Sequence, residues 1–447
     1  MRTFTNISVA VIATIWSFAQ ATYGEIWTEA EIQQYFADHP GESFKPANGD
    51  ILEGAIHIPA DVPPVLNAGT YTIEVLQDRT VRFQEDDQDV PGSLTITTQQ
   101  GQGGNAVGRI NAHGASGNLA VFDGVGGGAW GGITVLTDPG GGGNIISYCA
   151  VTHASNEAIT VDGQDQAAQA EVKSCLIQNN GSIGVYVVGG NTDFRVWDNE
   201  ICNSGIGIQI ESVEDPINLE GNPVIARNVV HDNDGMGIYI HAQFTGGIVN
   251  NLSYHNAGTQ LWLEFTNTDP VANNVVDGNH AVMVVGIQCE LGWSPNMRNN
   301  IVVNCQTGVV THAQGGGNLD YFLFFNNGIN YGENIVAGVH CIYEDPQFVG
   351  GTDYHLMWTS PAVNTGHANA EYNDPDGSRN DMGIFGGPLA GEFSLPSGGN
   401  WADYCRMDGF VTGQNWTLKR DTYRIMGNIR VVGEELKQPS QTIRCGG

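Results

Sequence analysis

A short phrase that returns at intervals of about 25 residues constrains the fold of this chain more than any other feature. Its versions read SCLIQNNG, DNEICNSG, RNVVHDNDG, NNLSYHNAG, NNVVDGNH and NNIVVNCQTG. An irregular period of this length is typical of a solenoid of stacked coils. The equivalent positions are Cys149, Cys175, Asn199, Asn228, Asn251, Asn274 and Asn300.

Short runs of alternating apolar residues lie between these positions, and they indicate which kind of solenoid forms. The runs are EAITVDG, IGVYVVG, IGIQIES, MGIYIHA and TQLWLEF. Apolar residues at every second position predict strands with one buried face. One repeat has no room for a crossover helix, so each coil must pair with the next through parallel strands. Stacked Asn amides suit such coils, because each amide can donate to the next. We therefore predict an all-β fold, a right-handed single-stranded parallel β-helix.

The beginning of the chain has the features of a secretory signal peptide. Arg2 supplies the charged region, an apolar stretch follows, and Ala19-Gln20-Ala21 is a small-residue cleavage site. The apolar stretch is too short for a transmembrane helix, and no later stretch approaches that length. We expect a secreted protein, extracellular or at the cell surface, that does not insert into a membrane.

Net charge narrows the range of partners. Without Arg2 the chain has 16 basic and 48 acidic residues, which gives a net charge of −32. Such a surface repels nucleic acid and anionic membranes, and it binds acidic polymers poorly unless cations bridge them. A polysaccharide partner is therefore expected to be uncharged.

The remaining segments flank the repeats. Thr28 and Glu31 form a capping box that predicts a helix covering the first coil. A composition shift after Pro388 marks a small C-terminal module. The predicted organisation is a signal peptide (1–21), an N-terminal cap with the first coils (22–129), the repeats (130–345), a closing segment (346–389) and a C-terminal β-rich module (390–447).

Two parts of the sequence resemble a known family. GRINAHG and AWGGI precede the repeats, and DPQFVGGTDYHLMWTSPAVNTG and DPDGSRNDMGIFGGP follow them. In these motifs the chain resembles the secreted bacterial right-handed parallel β-helix repeat proteins of the pectate-lyase-like superfold, over residues 65–388. The resemblance implies the architecture. It does not imply one activity, since related β-helices include lyases, glycosidases and adhesins. The R-x-P-x-x-R, G-H-G and R-x-K motifs of the specialised enzymes do not occur.

Aligned strands place outward-facing side chains in two neighbouring columns. Aromatic faces stack on sugar rings, and carboxylates accept hydrogen bonds from hydroxyl groups, so these columns suit a glycan groove. The first column, predicted to bind substrate, contains Tyr186, Gln209, Tyr239 and Trp262. The second begins with Asp162, also predicted to bind substrate, and continues with the candidate catalytic residues Glu211, His241 and Glu264.

Two carboxylates in the second column have a spacing that suggests hydrolysis. Glu211 and Glu264 are two coils apart, about 9.6 Å, which is near the range of about 6.5–9.5 Å for inverting glycosidases. Alternatively, the outward columns pack under loops. The sequence therefore predicts binding, and an open possibility of hydrolysis or lysis, of an extracellular polysaccharide or cell-surface glycan. The competing class is a non-enzymatic surface, adhesion or structural solenoid.

Cysteine pairs are the candidate cross-links. Cys149 and Cys175 occupy equivalent positions in adjacent coils, and a coil spacing of about 4.8 Å is within disulfide range. Two buried, reduced thiols are the alternative. Cys405 and Cys445 are predicted to pair in the C-terminal module.

An acidic turn near the end of the predicted closing segment is a candidate calcium site. Asp374, Asp376 and Asp381 space oxygen atoms like the first half of a calcium loop, but the second half is missing. The alternative is a turn closed by Asx hydrogen bonds. Calcium is the one cofactor that the sequence suggests.

Overall fold

The computed structural model describes most of the chain between residues 24 and 390, together with two later strands. The predicted signal peptide and Cys405 lie outside the described residues, as does the side chain of Cys445. The described ranges are 24–101, 104–136, 143–163, 168–189, 192–217, 223–244, 247–264, 270–279, 283–290, 297–312, 317–357, 359–390, 422–426 and 442–446.

Three long sheets form the sides of a parallel solenoid. Sheet 1 contains Ile26–Thr28, Ile51–Glu53, Thr80–Gln84, Ala120–Gly124, Cys149–Thr152, Leu176–Gln178, Glu200–Cys202, Val229–His231, Leu252–Tyr254, Val275–Asp277, Ile301–Val303 and Leu323–Phe325. Sheet 2 contains Ala55–Ile58, Ser93–Ile96, Ile133–Val135, Ile159–Asp162, Ile183–Val188, Ile206–Ile217, Ile238–Phe244, Leu261–Glu264, Val285–Glu290, Thr307–Thr311 and Ile329–Tyr331. Sheet 3 contains Gly69–Leu76, Gly104–His113, Asn144–Ser147, Ala168–Lys173, Thr192–Trp197, Pro223–Ala226, Gly247–Val249, Val271–Ala272 and Met297–Arg298, with Thr98–Gly101 antiparallel to its second strand.

Short elements complete the described chain. The helix Glu29–Asp38 has the predicted capping box at Thr28, and its buried Ile32 and Phe36 join the core of the first coils. The others are the 3₁₀ turns Val125–Gly127 and Ala370–Tyr372 and the strand pairs Gly317–Leu319 with Ile335–Ala337, Phe348–Gly350 with Asp353–Leu356, and Thr422–Met426 with Thr442–Gly446.

Neighbouring coils stack in the predicted register. Eight strands of sheet 2 lie between residues 130 and 312, and each is parallel to the next. Ile159 pairs with Val185, and Val185 pairs with Ile208. Because these side chains point inward, they form a continuous apolar core. The predicted parallel β-helix architecture is confirmed.

The asparagines of the repeated phrase form a buried ladder at the corner where sheet 3 turns into sheet 1. At each step, the backbone N–H and the Nδ2 atom of one Asn donate to the Oδ1 atom of the next, at 2.9–3.1 Å, as from Asn228 to Asn251. Nδ2 also donates to a carbonyl in the preceding coil, for example from Asn199 to Val172 at 2.9 Å. The members of the ladder are Asn199, Asn228, Asn251, Asn274 and Asn300.

Two cysteines continue this ladder toward the N-terminus. Cys149 and Cys175 are free, buried thiols, so the structure contains the reduced alternative and not the predicted disulfide. The sulfur of Cys175 donates to the carbonyl of Ile146 at 3.2 Å, and the sulfur of Cys149 faces the carbonyl of Ala112 at 3.8 Å. Each thiol therefore occupies the place of an Asn Nδ2 atom. Burial raises the pKa of Cys149, which keeps this thiol protonated as a donor.

At the residue before each ladder position, the backbone turns from sheet 3 into sheet 1. It has positive φ in every one of these coils, a conformation that Asn and Asp tolerate better than other side chains. The aligned residues are Tyr148, Ser174, Asp198, Arg227, Asn250, Asn273 and Asn299. The Asn-Asn doublets of the sequence thus have two distinct functions, since the first Asn makes the turn and the second forms the ladder.

Residues 346–389, predicted to close the solenoid, lie along the outer face of sheet 1, and we call them the strap. Tyr354, Leu356, Met382 and Ile384 pack on outward side chains from five successive strands. Those side chains are Val229, Leu252, Val275, Ile301 and Leu323.

The turning asparagines hold the strap by hydrogen bonds. Asn250 Nδ2 donates to the carbonyls of Ile384 and Gly386 at 2.9 and 2.7 Å. Asn273 Nδ2 donates to the carbonyl of Asp381 at 2.9 Å. The Asn-Asn doublets at 250–251 and 273–274 therefore lie in coils that the strap covers, and the first Asn of each also binds the strap.

Removing one amide from the middle of the ladder should destabilise the protein strongly. Asn251→Ala removes the acceptor for Asn228 and the donor to Asn274, which leaves several buried polar groups unpaired. We expect the free energy of unfolding to fall by about 3 kcal/mol in urea titrations. The matched control is Asn118→Ala at an exposed position, which should cost less than about 0.5 kcal/mol. Equal losses for the two variants would contradict this role of the ladder.

Candidate functional site

The strand register of sheet 2 places four of the five predicted substrate-binding residues in one outward column. Tyr186 pairs with Gln209, Gln209 with Tyr239, and Tyr239 with Trp262. All four side chains are partly buried, which leaves each with a surface that a ligand could contact. The Tyr239 and Trp262 rings have centroids 5.3 Å apart.

The predicted catalytic residues form the adjacent column. Glu211 pairs with His241, and His241 pairs with Glu264. His241 Nδ1 lies 3.8 Å from Glu211 Oε1. Asp162 is in the same column but is separated from Glu211 by Val188, so it lies two coils away from Glu211.

The two columns are joined by hydrogen bonds from one coil to the next. The Tyr186 hydroxyl donates to Glu211 Oε2 at 2.7 Å, and the Tyr239 hydroxyl donates to Glu264 Oε2 at 3.0 Å. Burial, followed by this bond to a carboxylate, raises the pKa of both tyrosines above the usual range. Both phenols therefore stay protonated as donors and hold the carboxylates in place.

Three residues that the sequence reading missed extend this surface. Gln288 and Glu290 pair with Trp262 and Glu264 in the next coil. Gln288 Nε2 donates to Glu290 Oε1 at 2.6 Å, and His312 Nδ1 lies 2.7 Å from the same oxygen. A signal for the first two was present, because VGIQCE repeats the pattern of IGIQIE. We call the residues of both columns from Tyr186 to His312 the ladder face. This outward surface of sheet 2 is distinct from the buried asparagine ladder.

The ladder face has two electrostatic features. None of the strands in sheet 2, as bounded above, contains Lys or Arg, so carboxylates and imidazoles supply its ionisable groups besides the tyrosines. In addition, the Nε1 atom of Trp262 is buried without a hydrogen-bond partner among the described residues. A buried donor of this kind costs free energy unless an acceptor arrives.

Sequence comparison supports the architecture independently. The family profile described as "Right handed beta helix region" matches residues 129–270 and 191–348. This chain is a right-handed parallel β-helix protein. Its matched segments contain the whole ladder face and the complete asparagine ladder. No curated protein matched the sequence.

Solved structures with low overall similarity have also been found. The periplasmic alginate epimerase AlgG is 10% identical, with a TM-score of 0.29 over 72% of this chain and 82% of that chain. The A-module of the Azotobacter vinelandii mannuronan C-5 epimerase AlgE6 is 13% identical, with a TM-score of 0.33 over 71% of this chain and 96% of that chain. Likenesses of this size carry no information about the activity of this β-helix.

The acidic turn of the strap uses its carboxylates as hydrogen-bond acceptors. Asp374 Oδ1 accepts from the backbone N–H of Gly387 at 2.6 Å, and Asp381 N–H lies 3.2 Å from Asp374 Oδ2. Asp376 Oδ1 accepts from the Ser378 N–H and hydroxyl. Among the described residues, no group of three or more His, Cys, Asp or Glu side chains is arranged to hold a metal ion. These hydrogen bonds are those of an Asx-closed turn, the alternative that the sequence left open.

A second cluster of ionisable groups lies on sheet 1 of the β-helix. His231 stacks on Tyr254, its Nδ1 atom is 2.7 Å from Asp232 Oδ2, and its Nε2 atom is 3.5 Å from Glu200 Oε1. Burial opposes the charged form, but bonds to Cys202, Glu200 and Asp232 raise the pKa of His231 to about 10. Cys202 is only 4% exposed, so we assign the cluster a structural role, in which a partly buried imidazole is held by neighbouring carboxylates.

In the described part of the chain, no helix is long and apolar enough to span a membrane.

Asp374 should make strap docking depend on pH. Burial and the nearby charge of Asp381 raise its pKa to about 7. The folded chain therefore binds a proton that the unfolded chain releases near pH 4, and stability falls as pH rises through this window. Between about pH 5 and about pH 8, ionisation of Asp374 should lower the stability of the wild-type protein by about 1 kcal/mol after solvent screening, as measured in urea titrations.

The control for this effect is Asp374→Asn, which cannot ionise at that position. The stability difference between the two pH values should shrink by the same amount. If the stability difference between the two pH values is unchanged in this variant, a group other than Asp374 causes the dependence of stability on pH.

Proposed function

We propose that this protein binds an uncharged extracellular polysaccharide along the ladder face. The observation that carries the proposal is the unbroken register from Tyr186 to Gln288, which repeats stacking and hydrogen-bonding side chains at the spacing of the coils. Adjacent coils are about 4.8 Å apart. A linear polymer lying parallel to the solenoid axis would therefore meet equivalent groups unit after unit.

The chemistry of each column suits one part of a sugar. Aromatic rings such as Trp262 present apolar faces to the C–H surface of a pyranose. Beside them, Glu211 and Glu264 are acceptors for hydroxyl groups, because a carboxylate has lone pairs and no donor.

Charge supports an uncharged polymer. The chain carries a formal net charge of −31, and sheet 2 has no Lys or Arg within its strands. An anionic polymer would meet Glu211, Glu264 and Glu290 without a compensating cation, which is unfavourable. The predicted signal peptide supports an extracellular ligand, because it would direct the chain out of the cytoplasm.

Hydrolysis of the bound polymer is a second candidate function, favoured by one observation. His241 lies between Glu211 and Glu264 in the carboxylate column, within 3.8 Å of Glu211. The backbones of the two glutamates are two coils apart, about 9.6 Å, which leaves room for a glycosidic bond and a water. One carboxyl group would protonate the leaving oxygen, and the other would activate the water.

The binding proposal is tested by affinity electrophoresis in mixed-linkage β-glucan, xyloglucan, galactomannan, alginate and polygalacturonate. Wild-type protein should be retarded by at least one of the three uncharged polymers and by neither anionic polymer. Trp262→Ala should weaken binding about 30-fold, because buried aromatic contacts dominate such sites. Tyr343→Ala, at an exposed aromatic residue outside the ladder face, should leave binding unchanged. Binding by none of the polymers would favour a structural or adhesive solenoid instead.

The hydrolysis candidate predicts a different pattern for amide variants. Glu211→Gln or Glu264→Gln should abolish release of reducing ends from the bound polymer while leaving its retardation nearly unchanged, because an amide cannot exchange the proton. No release by wild-type protein, or release that both variants retain, would leave binding as the activity of the ladder face.

A further inference from the structure

The column that contains the aromatic residues continues far beyond the ladder face toward the N-terminus. His57 pairs with Thr95, Thr95 with Thr134, Thr134 with Thr160, and Thr160 with Tyr186. All are outward-facing and partly buried. Four further coils therefore carry a polar side chain at the position that Tyr and Trp occupy in the ladder face.

This extension ends at an open pocket beside the capping helix. The pocket has a volume of about 470 Å³ and is lined by polar groups that include Glu29, His57, Asp61 and Thr97. Glu29 Oε1 accepts from the backbone N–H of His57 at 3.0 Å and lies 2.7 Å from its Nδ1 atom. The other ring nitrogen of His57 has no hydrogen bond or ion pair among the described residues. Its side chain is 43% exposed, so a ligand can reach it.

We propose that the ladder face is one part of a longer binding track, in which Thr160, Thr134 and Thr95 lead an extended polysaccharide to a terminal subsite at His57. This inference rests on the proposed function and adds the ligand's length. Seven coil steps separate Trp262 from His57, about 34 Å in total. The rise of one coil is close to the length of one unit in an extended pyranose chain, so the track would take a polymer of roughly seven units beyond Trp262.

The residues of the extension suit an uncharged sugar chain. A threonine hydroxyl both donates and accepts, and can therefore pair with sugar hydroxyls of either orientation. Glu29 holds His57 by two contacts to its carboxylate, and this hydrogen bond raises the pKa of His57. The pocket thus offers an imidazole donor beside the Asp61 carboxylate, and its lining among the described residues contains no Lys or Arg.

Chain-length dependence tests the track directly. The probes are the uncharged polysaccharide that retards the protein most strongly, a fraction of it longer than the track, and its tetrasaccharide. Wild-type protein should bind the long fraction at least about tenfold more tightly than the tetrasaccharide, by calorimetry, after correction for the number of overlapping sites. The double variant Thr134→Ile/Thr160→Ile should lose this advantage, with less than about a twofold change for the tetrasaccharide.

Two further variants, His57→Ala and Thr72→Ile, distinguish loss of the track from loss of folding and from non-specific effects of a Thr→Ile substitution. His57→Ala should reduce the affinity for the long fraction alone and leave the thermal unfolding midpoint nearly unchanged. Isoleucine suits an outward strand position, so the double variant should remain folded. The matched control is Thr72→Ile, at a partly buried threonine in sheet 3, which should bind both probes like wild type.

The remaining outcomes distinguish failure of the track from failure of the proposed function. If Trp262→Ala abolishes binding but the double variant and His57→Ala bind the long fraction like wild type, the track is refuted and the ladder face stands. Equal affinity of wild type for both probes also refutes the track. If no uncharged polymer binds at all, the proposed function and the track both fail.

Discussion

The hydrogen bonds of the buried asparagine ladder are the interaction on which the rest of the structure depends. At the sheet 3 to sheet 1 corner, each coil turns through a residue with positive φ, and the following backbone N–H points into the interior. Without an acceptor, that N–H would be a buried unsatisfied donor in every coil. Each ladder amide accepts from the backbone N–H of the Asn in the preceding coil and donates to a carbonyl of that same coil, so neither group at the corner is left unpaired. The sheets are aligned because these corners are aligned.

Much of the fold could be predicted because its determinants are local. Alternation identifies strands, and the repeated phrase identifies corners, so the register of Tyr186, Tyr239 and Trp262 follows from sequence alone. The strap could not be predicted in the same way. Its docking depends on Asn250 and Asn273 contacting residues more than a hundred positions later, and no local pattern encodes a pairing at that distance.

In the candidate site, too, features set by a local pattern could be predicted and the others could not. The columns from Asp162 to Glu264 could be derived by counting alternate residues, but the continuation through Glu290 was missed because a less regular segment precedes that strand. Likewise, Cys149 and Cys175 are neighbours as predicted, yet the partners of their sulfur atoms are carbonyls. Distance alone suggested a cross-link. The hydrogen-bonding requirement of the corner, which spacing does not reveal, explains the observed thiols.

The strap has a consequence for cooperativity. A solenoid whose coils contact only their neighbours can fray from either end, one coil at a time. Here Met382 and Ile384 join a cluster that spans coils from Val229 to Leu323, so those coils share one packing surface. We therefore expect the coils under the strap to open together as one unit, while the coils before them can fray singly. The strap can dock only on coils that are already stacked, because its packing surface is assembled from five of them.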